Sequence, residues 1–220
     1  MSRLTQEHEN KDIEWDNGLN DIRIDPKNKE KRIILVDADS IIHSSIHPLK
    51  SEERLPYTDK EIDTIIIPKI KERLYSLNEE INRGFSIQKM YCFVGGKGSY
   101  RRDIYPDYKA NRPEKLEIIT EVYRKCVEEL NFIRAEDFLE ADDMLYILGK
   151  EYGNMSILCF IDKDLRQIPG IVYDYNKNIW YTITPEEARH SLAVQVCTGD
   201  AGDNIKCNKG CGPAKADKYI

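Results

Sequence analysis

The sequence contains no apolar run near the roughly 20 residues that a membrane-spanning helix needs. Its first ten residues also lack the apolar core of a secretory signal peptide. Internal repeats and low-complexity tracts are absent. With 220 residues, of which 40% are hydrophobic and 33% charged, the chain is predicted to form one substantial soluble domain without a membrane partner.

A zinc-binding pattern is missing as well, although six cysteines are present. Cys207 and Cys211 are the only close pair, and two further ligands do not follow them. Several other cysteines lie in apolar, strand-like or helical segments, which is typical of reduced thiols in a cytosolic protein. We therefore expect neither a structural zinc nor a disulfide framework, and we expect a cytoplasmic location.

An overall excess of basic residues is also lacking, because the formal net charge is −6. This charge argues against a nonspecific coat for nucleic acid. Residues 97–125 are an exception, with eight basic and five acidic side chains. Within them, residues 99–112 interleave cations with three tyrosines, a composition typical of single-strand binding. The segment is either a solvated helical face or an electrostatic footprint for a phosphate backbone.

What the sequence does contain is a dense acidic run, Glu140-Ala-Asp-Asp143, with apolar residues on both sides. The apolar residues that follow it predict a helix. Acids in a first helical turn can simply complement the helix dipole. The apolar neighbours, however, draw the carboxylates towards the core, where they repel one another unless a cation neutralises them. Mg²⁺ or Mn²⁺ is the natural cation for ligands that offer only oxygen.

Two predicted buried strands bring further carboxylates to one edge of a parallel sheet. The run 32–37 ends in Asp37, and the run 155–161 is followed by Asp162 and Asp164. In open α/β sheets, ligands bind at this carboxyl edge. An aspartate at a strand end can equally serve as a turn or helix cap, so both interpretations of Asp37 stay open.

The rest of the pattern completes an α/β fold. Helical spacing covers 59–83, where Pro68 should kink or split the helix, and also 113–130 and 185–198. Further strands are predicted at 86–94, near 132–133 and, as a hairpin, at 171–175 and 179–183. The glycine-rich turn after residue 94 is interpreted as permissive backbone. Residues 1–31 are polar and are predicted to form a flexible extension.

The last segment carries two more carboxylates, Asp200 and Asp203, before a glycine-rich turn. Lysines follow at Lys206, Lys209 and Lys215. This pattern predicts a helix–turn–helix-like unit whose backbone N–H groups hold phosphate.

Taken in order, these motifs resemble those of the 5′-nuclease superfamily, the flap endonucleases and 5′–3′ exonucleases, phage members included. The resemblance covers roughly residues 32–220. The segments that carry it are Val-Asp37, Tyr-Arg-Arg through Pro-Asp-Tyr-Lys109-Ala-Asn-Arg112, Glu140-Ala-Asp-Asp143, Asp162-Lys-Asp164 and Gly-Asp200-Ala-Gly-Asp203-Asn-Ile. Each motif alone is weak, but five in order at compatible spacing make a chance match improbable.

The resemblance implies a PIN-like α/β core at 32–198, with a mostly parallel central sheet flanked by helices. It also implies a helical arch at about 97–131 and the start of a helix-3-turn-helix DNA-binding unit at 199–220. The cell would be bacterial or phage-infected.

Two Mg²⁺ or Mn²⁺ ions are implied too, together with a monovalent cation at the helix-3-turn-helix loop. Two divalent ions can activate a water, stabilise the leaving oxygen and clamp the scissile phosphate. The residues that match the first site are Asp37, Glu140 and Asp142. Those that match the second, some of them through water, are Asp143, Asp162, Asp164, Asp200 and Asp203.

For substrate binding, the resemblance gives Lys109 and Arg112 a catalytic role in the arch, where they would offset charge developing on the phosphate. Tyr108 is a candidate for stacking on the terminal base. The other residues expected to bind nucleic acid are Arg101, Arg102, Lys206, Lys209 and Lys215.

The sequence departs from the family pattern in two places. Relatives carry another metal-binding aspartate after the second strand, where this chain has Cys92-Phe-Val-Gly-Gly96. Asp39 lies two residues after Asp37, which in extended geometry directs it to the same side, so it is an additional candidate ligand. A helix cap is the alternative role for Asp39. The chain also ends at Ile220 whereas relatives continue, so we expect a shortened protein or a fragment.

We therefore expect a divalent-metal-dependent 5′ nuclease. Its substrate would be branched or nicked duplex DNA with a 5′ end, or an RNA–DNA hybrid, and its action 5′–3′ exonucleolytic, flap-cleaving or both. A PIN-type ribonuclease is one rival, although it would not need the predicted duplex-binding unit. A structure-specific DNA-binding protein that has lost catalysis is the other, motivated by the missing aspartate.

Overall fold

The computed structural model describes residues 31–46, 58–112, 117–206, 210–218 and 220. The predicted N-terminal extension, apart from Lys31, lies outside these residues, as does Lys209. The strands are β1 Arg32–Asp37, β2 Ile87–Val94, β3 Ile133–Arg134, β4 Ser156–Cys159, β5 Gly170–Asp174 and β6 Ile179–Ile183. The α-helices are α1 Ala38–Ile46, α2 Asp59–Glu61, α3 Ile67–Asn82, α4 Arg101–Ile104, α5 Glu117–Leu130, α6 Ala141–Tyr152, α7 Pro185–Thr198 and α8 Pro213–Ala216. A π-helical segment covers Ile62–Ile66, and 3₁₀ turns cover Gly153–Met155 and Lys163–Gln167.

The six strands form one sheet in the order β3-β2-β1-β4-β5-β6. All neighbouring pairs are parallel except β5 and β6, which form the predicted antiparallel hairpin. This confirms the expected α/β class with a mostly parallel sheet. The chain goes from β1 to β2 on one side and returns to β4 on the other, so the strand order reverses at β1. In such sheets, ligands bind at this switch point, beyond the carboxyl ends of the strands.

Both faces of the sheet are covered, which explains why β1 is apolar throughout. Its alternate residues Ile34 and Val36 pack in one core with α1, α3 and α5. Ile33 and Leu35 pack in a second core with α6. The result is a three-layer α-β-α arrangement. Among the described residues, no helix is long and apolar enough to cross a membrane.

The helical run predicted at 59–83 is not broken at Pro68. It continues through α2, the π-helical segment and α3, and Pro68 lies in the first turn of α3. A proline lacks the N–H that an α-helix interior needs, and the change of helix type immediately before it accommodates that loss.

The glycine-rich turn after β2 is sterically constrained. A Cβ added at Gly96 would lie 2.0 Å from the Glu136 carbonyl oxygen. The Gly96 N–H donates to the carbonyl of Leu139 at 2.9 Å. This close approach of two backbones holds the segment that precedes α6 against the carboxyl end of β2.

Candidate active site

The predicted carboxylates converge at the carboxyl edge of the sheet because β1 and β4 are neighbours. Asp37 ends β1, Asp162 follows β4, and Glu140 precedes the first residue of α6. Asp37 is only 3% exposed. Its carboxylate accepts hydrogen bonds from the Asp39 N–H at 3.1 Å and the Ser40 hydroxyl at 2.6 Å. Asp37 therefore caps α1 and also faces the other acids.

The carboxylates in this cluster repel one another. Burial, followed by the charges of Asp39 and Asp162, raises the pKa of Asp37 well above its usual range. Burial and the nearby Asp37 and Asp162 carboxylates raise the pKa of Asp142 in the same way. Burial, Asp162 and Asp200 raise the pKa of Asp164 to about 6. A cluster whose members resist ionisation in this way gains most from a bound cation.

Four other predicted ligands are paired with basic side chains of the protein. The pairs are Glu140 with Lys109 at 2.7 Å, Asp143 with Arg101 at 2.6 Å, Asp203 with Arg112 at 2.5 Å and Asp200 with Lys163 at 3.1 Å. Burial raises the pKa of Glu140, but the contacts of Lys109 and Tyr108 outweigh it and leave that pKa below its usual range. Within the described ranges, no three ligand-type side chains are grouped so that they could hold one ion.

The donor set still fits a hard divalent cation. It consists of carboxylate oxygens, which Mg²⁺ and Mn²⁺ prefer. Asp37 is buried and is repelled by Asp142, so a nearby positive charge would stabilise the ionised form of both carboxylates. Lys109 supplies part of this charge, since it acts to lower the pKa of Asp142, while Arg101 neutralises Asp143. Rotation of the Lys109 side chain away from Glu140 would open an oxygen ligand for an ion.

Asp39 lies against Gly95, the residue that follows β2. A Cβ built on Gly95 would lie 3.4 Å from Asp39 Oδ2, and the Gly95 N–H donates to Asp39 Oδ1 at 3.3 Å. Burial and the neighbouring Asp39 carboxylate raise the pKa of the Tyr123 hydroxyl. Asp39 is therefore not the cap of α1, since Asp37 has that role. Its carboxylate bridges from α1 to the end of β2.

The segment 105–112 is fastened to the turn at 200–204. The Lys109 N–H donates to the Asp203 carbonyl at 2.9 Å. Side chains add four more bonds: Tyr105 hydroxyl to Asn204 O, Asn111 Nδ2 to Ala201 O, Arg112 Nε to Gly202 O and Asn204 Nδ2 to Asp107 O. Lys109 has a φ of +55°, a conformation that this network holds in place. The predicted catalytic cations therefore lie beside Asp203, although about 90 residues separate them along the chain.

The residues predicted to bind nucleic acid fall into different environments. Arg102, Lys206 and Lys215 are exposed, whereas Lys209 lies outside the described residues. Arg101 makes a two-bond contact with Asp143. Tyr108 is 3% exposed and its hydroxyl donates to Glu140 at 3.0 Å. In this position Tyr108 is not accessible to a nucleobase, so the stacking role predicted for it does not fit the structure.

Two polar residues of the site were not singled out from the sequence. Ser40 binds the Asp37 carboxylate, and Lys163 pairs with Asp200. Lys163 lies between two predicted ligands, Asp162 and Asp164, and this position in the sequence could have identified it as a residue of the site. Ser40 follows Asp37 by three residues, the spacing at which a side chain meets a helix cap.

Comparison with known proteins agrees with this geometry. Residues 32–200 match the family described as 5′-3′ exonuclease, N-terminal resolvase-like domain. The 5′-3′ exonuclease of Bacillus subtilis (strain 168) is 27% identical over 148 residues, covering 59% of this chain and 50% of that protein. The chain thus matches about half the length of this curated relative.

Solved structures share the fold at low sequence identity. The T5 D15 protein co-crystallised with metal ions has a TM-score of 0.64 and 16% identity, over 86% of this chain and 74% of that one. The catalytic core of Rad2 in complex with a DNA substrate has a TM-score of 0.56 and 15% identity, over 88% and 61%.

Proposed function

Since the chain belongs to the 5′–3′ exonuclease family, we propose that it is a divalent-metal-dependent 5′ nuclease. It hydrolyses phosphodiester bonds in branched or nicked DNA with a 5′ end, or in RNA–DNA hybrids, by 5′–3′ exonuclease or flap endonuclease action. The observation that carries the proposal is the convergence of Asp37, Asp142, Asp162 and Asp164 into one repelling cluster beside Lys109.

We assign the carboxylates to two Mg²⁺ or Mn²⁺ sites. Asp37, Glu140 and Asp142, joined by Asp39, would hold the first ion. The acids that would hold or approach the second are Asp143, Asp162, Asp164, Asp200 and Asp203. Bound there, the ions supply Lewis acidity to the scissile phosphate and lower the pKa of a water.

The protein's own residues position the phosphate. Lys109 and Arg112 extend from the segment fastened to the 200–204 turn, at the rim of the acidic cluster. Their positive charges face the place where negative charge develops on the phosphate oxygens. Both side chains must leave their carboxylate partners to do this, and a bound metal ion would take over those partners.

The test is a cleavage assay with 5′-labelled flap, nicked duplex and RNA–DNA hybrid substrates, each with Mg²⁺ and with Mn²⁺. Products must appear with a metal and not with EDTA. No cleavage of any of the three substrates in either metal would contradict the proposal. Tight flap binding without cleavage would instead favour the second candidate, a DNA-binding protein that has lost catalysis, for which Gly95 in place of an aspartate is the specific observation.

Binding is expected to depend strongly on salt despite the acidic net charge. Exposed cations such as Arg102, Lys206 and Lys215 would displace counterions from phosphates. Affinity for a flap substrate should fall about tenfold or more between roughly 50 and 200 mM salt. Neutralising these three residues should flatten the slope, whereas Lys60→Gln, an exposed lysine of α2, should not. An affinity that stays flat in the wild type would contradict the prediction.

Asp39→Asn is expected to raise the metal concentration needed for half-maximal cleavage by about tenfold or more, the size of loss known for metal-site partners. The reason is that Asp39 Oδ2 fills the space beside Gly95. Calorimetric titration of Mn²⁺ into the DNA-free protein gives an independent readout. An unchanged requirement would leave Asp39 as a structural bridge only. Gly95→Asp in the Asp39→Asn background is the matched test of rescue.

A further inference from the structure

Phe138 has an unfavourable backbone conformation for its residue type. Its φ is +74°, in the left-handed region. It lies third in a β-turn closed by the Leu139 N–H, which donates to the Glu136 carbonyl at 3.0 Å. Glycine is the natural residue at such a position, and a bulky aromatic residue is rarely found there. Strain of this kind persists only where the surrounding structure enforces it, and it clusters at functional sites.

Two backbone hydrogen bonds enforce the conformation. The Phe138 N–H donates to the Lys97 carbonyl at 2.8 Å, and the Tyr100 N–H donates to the Phe138 carbonyl at 3.0 Å. The ring lies against Gly98, where an added Cβ would be 3.3 Å from Phe138 Cδ1. Yet Phe138 is 56% exposed. Burial in the core therefore does not explain why an aromatic residue is held here.

The surroundings of Phe138 suit a nucleic-acid strand. Tyr100, 39% exposed, is hydrogen-bonded to it, and the Arg101 guanidinium lies 4.8 Å from the Tyr100 ring centroid. Residues 97–112 contain five basic and two acidic side chains. Glu136 and Asp137 are exposed acids of the same turn, and the Asp137 carboxylate accepts the Lys97 N–H at 3.3 Å. Glu140, at the acidic cluster, follows Phe138 by only two residues.

We propose that Phe138 and Tyr100 form a stacking surface for unpaired bases of a DNA strand at the entrance to the acidic site. Phe138 and Tyr100 would thereby take the stacking role predicted for Tyr108, which is buried. The inference rests on the proposed function, because it presupposes a nucleic-acid substrate. Stacking would hold the strand without reading its sequence, since every base presents a π-face.

The test uses Phe138→Gly, which removes the ring and suits the positive φ. Because glycine relieves the strain, the melting temperature should stay the same or rise. Phe138→Trp should retain binding. Tyr75→Ala is the matched control, because Tyr75 is an exposed aromatic residue of α3, outside this surface.

The probes are two 5′-flap duplexes in EDTA, one with normal flap bases and one with abasic spacers in the flap. Phe138→Gly should weaken binding to the base-bearing flap about tenfold, the size of effect known for one stacked base. It should leave the abasic flap unchanged. Wild-type-like affinity of Phe138→Gly for the base-bearing flap, or equal losses on both probes, would overturn the inference. If the wild type cleaves flaps in Mg²⁺, such results leave the proposed function intact; if it neither binds nor cleaves any probe, both proposals fail.

Discussion

Asp142→Asn is expected to abolish cleavage while leaving DNA binding nearly unchanged. The side chain lies in the first turn of α6, where Asp37 and Asp162 act on it electrostatically. The change removes a proposed metal ligand but none of the cations proposed to contact phosphate. Single-turnover cleavage and flap binding in EDTA measure the two effects. Asp63→Asn, which removes an acid paired with Lys125 outside the cluster, is the control. Near wild-type turnover of Asp142→Asn would show that Asp142 is structural.

The same variant should reverse its effect on stability when metal is added. Because burial and the neighbouring carboxylates raise the pKa of Asp142 in the folded state well above its usual range, its ionisation destabilises the folded protein at higher pH. In EDTA at neutral to alkaline pH, Asp142→Asn should therefore melt a few degrees higher, since about 1 kcal/mol corresponds to roughly 2–4 °C at this size. The gain should vanish below about pH 4, where the carboxyl is protonated in both states. With Mn²⁺ the wild type should gain more stability than the variant.

Lys109→Met is expected to slow cleavage by about 10²–10³-fold, the usual effect of removing one preorganised charge donor. Its ammonium group lies 2.7 Å from Glu140 and 3.9 Å from Asp203. Removing the charge also frees those carboxylates, so metal should bind more tightly to the DNA-free variant. Slower turnover combined with tighter metal binding would distinguish a catalytic role of Lys109 from one in which it only neutralises the acids.

Lys109→Arg separates charge from shape, because it keeps the charge but not the compact ammonium group. It should cleave faster than Lys109→Met. Turnover of Lys109→Met at the wild-type rate would mean that Lys109 only neutralises the acids in the metal-free protein.

The parts of the site that depend on strand order could be predicted from the sequence. Asp37 and Asp162 each follow an apolar run, and parallel strands bring their carboxyl ends to a common edge. Glu140 directly precedes a helix whose apolar face covers that sheet. These three positions follow from local pattern and one topological rule, which is why their convergence was predictable.

The parts of the site that depend on contacts between residues distant in sequence could not be predicted. Tyr108 lies between a cation and a proline-containing turn, a composition that suggests exposure, yet it is 3% exposed and its hydroxyl donates to Glu140, 32 residues away in the sequence. The pairing of Arg101 with Asp143 depends on how the turn after β2 packs against the segment before α6. A positive φ at Phe138 leaves no signature in the sequence, because that position normally selects glycine.

The bonds between segment 105–112 and the 200–204 turn also set the order in which the protein can mature. During synthesis the chain emerges from its N-terminus at roughly 5–20 residues per second. Strands β1 to β6 are complete once residue 183 has emerged, but the partners of Asn111 and Arg112 follow only at residues 201 and 202. A growing chain can therefore form its sheet seconds before it can fix the segment that carries Lys109 and Arg112, the cations proposed to act in catalysis. Truncated translation products that end before the 200–204 turn should consequently fold in part without acquiring the activity of a nuclease.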